Sequence, residues 1–212
     1  MELEGSHDFE SNVFINCPFD KDYEPLKTAL LYTVTALGFK PRIATERADA
    51  GEQRVSKICE LIRQSAFSVH DLSRLKSSKK GEFYRMNMPF ELGADYGSRQ
   101  FAPDVYGNKQ FLILETKRFD YMNALSDLNG IDIQAHGDDP RILIRKVRNW
   151  FVTATGQTEL DAPSVLWYDY GDFNADLYDK LKTIGFSDAD IDELPVVEYL
   201  EYVNRWLAAK AA

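Results

Sequence analysis

Gln110 to Glu115 reads QFLILE, with four consecutive apolar residues in a segment too short for an ordinary helix. A run of that kind suits a strand buried on both faces, the situation of a parallel sheet covered by helices on each side. Three earlier segments repeat the theme: Val13 to Asn16 (VFIN), Phe39 to Ala44 (FKPRIA) and Phe67 to His70 (FSVH). Between them lie stretches of helical period. One begins at Asp22 and carries Leu26, Ala29, Leu30, Thr33, Val34 and Leu37; the other runs from Gln53 to Gln64 with Val55, Ile58, Cys59, Leu61 and Ile62. Gly38 suits the left-handed position just past a helix end, and Pro41 puts its strand at a sheet edge or near a strand end. Alternating strands and helices imply an α/β fold with a parallel sheet and right-handed crossovers.

The second half reads differently. Phe119 to Leu128 forms a short helix or turn, Ile131 to His136 (IDIQAH) a fifth strand, and Arg141 to Thr153 an amphipathic helix with Ile142, Ile144, Val147, Trp150 and Phe151 inward. Residues 156–163 read as a linker, so the expected organisation is an α/β domain over 13–155 and a helical C-terminal extension over 164–212. That extension is broken by Gly185 and Pro195, and the helical spacing of its Tyr and Trp residues assigns them to a core rather than to base stacking. Met1 to Glu10 is polar, is set aside from the fold, and leaves His7 without weight.

A formal charge of -9 argues against wrapping duplex nucleic acid, whose affinity comes mainly from basic residues on phosphates. Cys17 and Cys59 have no metal-ligand spacing and fit a reducing, cytoplasmic setting. The expectation is a protein without membrane partners, since no apolar run is long enough to span a bilayer and no signal peptide is evident.

In a parallel sheet the ligand cleft lies beyond the carboxyl ends of the strands. The loops Cys17 to Tyr23, Thr45 to Glu52 and Asp71 to Asn87 leave those ends and can converge on one segment, Asn87 to Gly97 (NMPFELGADYG). There Asn87 is the expected N-cap, Pro89 suits a first turn, and the crowded apolar residues predict a largely buried helix with Glu91 directed into the cleft. A first-turn acid also complements the helix dipole, which is the plainer explanation of Glu91. Asp71, at the end of the third strand, is expected to share a substrate with Glu91. Two carboxyls around an anomeric carbon suit cleavage of a glycosidic bond, whose transition state is cation-like. Ser73 and Arg74 offer a hydroxyl and a fork of donors to a phosphate. Arg42, Arg47 and Arg54 are further phosphate candidates, while Asn16, Phe19 and Asp20 can line the opposite wall. Asn87 and Met88 complete the expected binding residues. The stretch RLKSSKKGE from Arg74 reads as a lid. His70 alternates away from Asp71 and reads as packed, and His136 has no metal-site spacing.

The order of these motifs is similar to two related families. A strand, the acidic DLSR, a variable loop and PFELGADYG resemble the nucleoside 2-deoxyribosyltransferase-like fold, whose nucleophile is a glutamate in a Glu-Leu-Gly-like run. VFINCPFDKDY resembles the first strand and loop of bacterial TIR-like domains, which share a flavodoxin-like sheet and cleave NAD with a glutamate on the helix after the third strand. The resemblance covers about residues 13 to 115. It implies Glu91 as catalytic glutamate, Asp71 as supporting acid, and Phe19 and Asp20 in a substrate-contacting loop. It further implies NAD as substrate without a separate cofactor, and a setting in anti-phage defence with self-assembly or a partner protein. Three readings stay open: an NAD-cleaving enzyme, a nucleoside or nucleotide glycosidase or transferase, and a non-catalytic nucleotide-binding or assembly module.

Overall fold

The computed structural model describes residues 6–75 and 86–211. From residue 76 the expected lid lies outside the described residues. Five strands form one all-parallel sheet in the order β2-β1-β3-β4-β5, built from β1 (Asn12–Asn16), β2 (Lys40–Ile43), β3 (Phe67–Asp71), β4 (Gln110–Glu115) and β5 (Gln134–Ala135). This is a flavodoxin-like order, with the chain reversing its direction of growth between β1 and β3. β1 is buried throughout, and β2, which contains Pro41, lies at the edge where a missing backbone donor is tolerated. The fifth strand is much shorter than IDIQAH suggested. Only Gln134 and Ala135 pair with β4, and 3-10 turns at Tyr121–Asn123 and Ser126–Leu128 lie in the connection between the two strands.

Alternation along the strands divides the core. Val13, Ile15, Val69, Leu112 and Leu114 meet α2 (Glu24–Ala36) and α6 (Pro140–Thr155) on one face of the sheet. Phe14 and Ile113 meet α3 (Arg54–Arg63) and α4 (Asn87–Phe101) on the other. Helix α2 stops where Gly38 takes φ +85°, letting Phe39 N–H donate to the Val34 carbonyl at 3.1 Å. Helix α6 starts on Asp139, whose carboxylate accepts from Arg141 N–H at 2.7 Å, with Pro140 in the first turn.

The C-terminal helices α7 (Pro163–Thr183) and α9 (Val196–Ala211), with the short α8 (Asp188–Asp192) between them, continue the α2 core. The Tyr32 ring lies 5.4 Å from both Tyr170 and Phe173, and Phe173 is 6.0 Å from Trp206. Tyr199 Oη donates to the Thr28 carbonyl at 3.1 Å. Burying each such large side chain stabilises by about 1.5–3 kcal/mol, so these aromatics act as core, as their spacing indicated. Two short elements escaped the sequence reading: α1 (Ser6–Ser11), which overlaps the polar segment set aside, and α5 (Pro103–Tyr106). Neither carries enough apolar periodicity to announce itself. The Phe9 carbonyl nevertheless accepts from Ala66 N–H at 2.9 Å and ties the start of the chain to β3.

No helix among the described residues is long and apolar enough to cross a membrane.

Candidate active site

Helix α4 begins at the carboxyl edge of the sheet and buries a single stripe: Met88, Glu91, Leu92 and Asp95. It is less buried than its composition suggests, for Phe90 is 59% exposed and Phe101 stands fully in solvent. Asn87 is the first helical residue and exposed; the cap position is Met86, without a side-chain bond, so Asn87 is not the expected N-cap. The helix enters from an αR residue, and that backbone leaves no extended position from which Asn87 could reach back.

Glu91 is the unusual member of the stripe. It is 5% exposed and has no hydrogen-bond or ion-pair partner among the described residues. Burial raises its pKa to about 7, opposed only by the guanidinium of Arg54 at the start of α3. A carboxyl held near neutrality can act as carboxylate or as acid in the same pH range.

Asp71 does something else. It is fully buried, and four donor groups close around it. Tyr23 Oη donates at 2.5 Å and His136 Nε2 lies at 3.0 Å on one oxygen; Ser73 N–H, at 2.8 Å, and the Ser73 hydroxyl take the other. Burial pushes the carboxyl up, but the His136, Ser73 and Tyr23 bonds together hold it below the ordinary aspartate value. The Tyr23 phenol is driven well above its usual value by burial and by the Asp71 charge, so it remains a donor. Asp71 belongs to the α2 face of the sheet and Glu91 to the α4 face. The expected pair around one substrate is therefore corrected: Asp71 is a saturated anchor of the sheet edge.

Ser73, His136 and Asp71 have the composition of a nucleophilic triad but not its proton arrangement. His136 Nδ1 accepts from Asp138 N–H at 3.1 Å, which requires the Nε2–H tautomer. Nε2 then faces Ser73 Oγ at 2.9 Å as a donor and cannot take the serine proton. Asp138 reaches this position by adopting φ 57°.

The remaining expected residues scatter. Arg42 is committed to Glu46, with Nε and Nη2 donating at 2.8–3.2 Å, because the short turn after β2 brings Glu46 back onto the strand residue four positions before it. This corrects its phosphate role. Arg47 is likewise paired, with Glu52 at 2.9 Å and Glu60 at 3.1 Å. Arg54 has no ion pair among the described residues and is exposed. Arg74 lies 3.4 Å from Asp20 and 3.9 Å from Asp138, with Tyr23 beneath it, and so bridges the loops after β1, β3 and β5. Phe19 stays at the surface: the residue is 38% exposed, with Lys27 Nζ 5.9 Å from the ring centre. The Met88 side chain is core, packed with Leu72, Leu92 and Ile113, which corrects its binding role. Asn16 is 3% exposed and turned toward α4 rather than lining a wall.

Sequence reasoning missed His136, Tyr23 and Asp95 as partners of buried groups. Tyr23 sits in the recognised loop after β1, but His136 is 65 residues from Asp71 and no spacing rule joins them. Cys17, at the end of β1, is pushed far up by burial and then by the Asp71 charge, with Glu91 a lesser contributor, so it is an inert thiol. Among the described residues, no group of His, Cys, Asp and Glu could hold a metal ion.

The fold and site define a class: a parallel α/β sheet whose carboxyl edge presents a buried carboxyl, Glu91, without a partner among the described residues. Comparison with family models, curated proteins and solved structures found no match.

Proposed function

We propose that the protein is a TIR-like enzyme that breaks the N-glycosidic bond of NAD, with Glu91 as its essential carboxyl. The observation that carries this reading is the Glu91 side chain itself: nearly buried, unpartnered among the described residues, and raised to about 7 at the edge where parallel sheets bind ligands. The resemblance of VFINCPFDKDY and PFELGADYG to the TIR-like pattern supports the same position.

In the proposed reaction the ribosyl C1′–N bond breaks and its electron pair moves onto the nicotinamide ring, which leaves neutral. Glu91 as carboxylate stabilises the cation-like ribosyl transition state or attacks it. Water then completes hydrolysis, or a nucleophile elsewhere on the same molecule completes cyclisation. The positive nicotinamide ring, on binding, favours the ionised form of Glu91 and so prepares the group for this role. The exposed ring of Phe19 is suited to stacking, and Arg74, loosely held by Asp20 and Asp138, to the pyrophosphate. Asp71 supports the loop that carries Ser73 and Arg74 rather than the reacting atoms. A setting in anti-phage defence, with self-assembly or a partner protein, accompanies this reading.

The raised value of Glu91 favours a second substrate class as well. A neutral purine or pyrimidine leaves a nucleoside or nucleotide only with a proton, and a carboxyl near neutrality has one to give.

Incubation of the protein, over a range of concentrations, with NAD, NADP, nucleosides and nucleotides separates these readings. Nicotinamide release that disappears in Glu91→Gln supports the first, with product mass distinguishing hydrolysis from cyclisation. Base release from nucleosides supports the second. Normal turnover by Glu91→Gln refutes both, and binding without turnover at any concentration leaves a nucleotide-binding module.

A further inference from the structure

The Asn16 amide nitrogen has two hydrogens, and both are spent. One is donated to the Met88 carbonyl at 2.9 Å and the other to His70 Nδ1 at 3.0 Å. The bond to a carbonyl fixes which end of the amide is nitrogen, and the second bond then fixes the histidine: Nδ1 accepts, so Nε2 carries the proton. That proton faces Asp95 Oδ2 at 3.2 Å. Asp95 also accepts from the Ser68 hydroxyl at 2.5 Å and lies 3.0 Å from Lys109 Nζ. His70, Asp95 and Lys109 are at most 1% exposed.

Both ends of this relay are on α4. Met88 is in its first turn and Asp95 is two turns along, on the same buried stripe. Glu91 stands between them, one turn from Asp95, and receives nothing from the relay. Strands β1 and β3 therefore grip the helix on either side of Glu91, which has no partner among the described residues.

We propose that Asn16 and His70 are positioning residues, which fix the first turn of α4 so that Glu91 is held at the sheet edge while its carboxyl stays uncommitted. The catalytic consequence rests on the reading of Glu91 given above, but the positioning does not. The requirement is directional. Asn16 must donate to a carbonyl, and His70 must present an acceptor to Asn16. An aspartate at position 16 has the shape but sets a carboxylate oxygen against the Met88 carbonyl. An asparagine at position 70 keeps an acceptor near the place of Nδ1, while leucine removes it. Asp95 retains Ser68 and Lys109 in either case. Of the charged and titratable groups, Arg54 from α3 acts on Glu91, and Glu91 in turn acts on Cys17 just after β1; Asp95 lies one turn along the same buried stripe and bonds His70.

The test uses the full chain and variants Asn16→Asp, Asn16→Ala, His70→Leu and His70→Asn, with thermal melts to identify those that fold. Carbon-13 NMR of the glutamate carboxyls, with Glu91 assigned through Glu91→Gln, reads the titration midpoint without reference to activity. In the wild type it is expected near 7. In Asn16→Ala and His70→Leu it is expected to fall by one pH unit or more, as the loosened turn admits water. In His70→Asn it is expected to stay. Where NAD is cleaved, kcat is expected to fall roughly 10- to 100-fold in Asn16→Ala and His70→Leu, with KM within about threefold, and to be largely kept in His70→Asn. An unmoved Glu91 midpoint in folded Asn16→Ala and His70→Leu overturns the inference, as does loss in His70→Asn equal to that in His70→Leu. If both unfold, the contrast between Asn16→Asp and His70→Asn decides by the same midpoint. A protein that cleaves nothing while the midpoints move as expected refutes the catalytic reading and leaves the positioning standing.

Discussion

Replacing Glu91 by glutamine should make the protein more stable above neutral pH, although it removes the group proposed to matter most. A carboxyl whose value rises from 4.5 in the unfolded chain to about 7 in the fold binds its proton more tightly when folded. Between those values the folded state holds more protons than the unfolded state, so stability falls as pH rises. Each tenfold preference corresponds to about 1.4 kcal/mol. The deficit from this one residue is then roughly 1 kcal/mol near pH 5, about 2 kcal/mol near pH 6 and about 3 kcal/mol near pH 8. These are upper figures, since any water reaching the carboxyl reduces them. Glutamine occupies nearly the same volume and carries no charge, so Glu91→Gln escapes the deficit. The expected gap between the two proteins widens by about 2 kcal/mol from pH 5 to pH 8, or roughly 4–8 °C in Tm for a chain of this size. Urea unfolding of both proteins across that range measures it. Parallel stability curves, or a gap that narrows with rising pH, would refute the burial argument for Glu91 independently of the proposed activity.

Other perturbations follow from the buried anchors. Asp71→Asn turns two acceptor oxygens facing four donor groups into one acceptor and one donor, and should cost at least about 3 kcal/mol in urea unfolding; Tyr23→Phe, losing one bond to that charge, should cost about 1.5–3 kcal/mol. Lys109→Met leaves the buried Asp95 without its cation, and the carbonyls of Ile62 and Ser65 without the ammonium that donates to each at 2.6 Å; a loss of about 3–5 kcal/mol is expected. Phe173→Ala empties the contact among Tyr32, Tyr199 and Trp206 and should lower stability by about 3–5 kcal/mol, with α2 exchanging its amide hydrogens faster. Acid should act through Asp71 and Asp95, both held below the ordinary value of 3.8. Their contribution is complete above that value and is lost as pH falls through the lower folded values, seen as a declining unfolding midpoint below about pH 4.

The sheet was legible because its signals are local. QFLILE coincides with β4, and Pro41 and Gly38 sit where the chemistry of proline and glycine requires. The position of Glu91 at the sheet edge was legible for the same reason: topology brings the start of α4 there. What could not be read was the commitment of polar side chains. Asp71 and Arg42 have the residue types of a substrate site, yet each is consumed by an internal partner. For Arg42 the partner is four residues away and was there to be weighed. For Asp71 it is His136, brought in by β5, whose two paired residues barely register as a strand. The opposite-face placement of Asp71 and Glu91 was also implicit in period-two alternation, since His70 and Asp71 cannot both face α4.

The helices that complete the α2 core are made long after α2 itself. About 160 residues separate the end of α2 from the start of α9, and at about 5–20 residues per second a ribosome takes roughly 10–30 s to supply them. During that interval Leu30, Leu31 and Tyr32 belong to a nascent chain whose sheet can pair but whose outer layer does not yet exist. Their apolar surface is then a ready place for a chaperone to bind or for a neighbouring nascent chain to stick. Slowing translation or removing α9 should therefore lower soluble yield well before it alters the sheet.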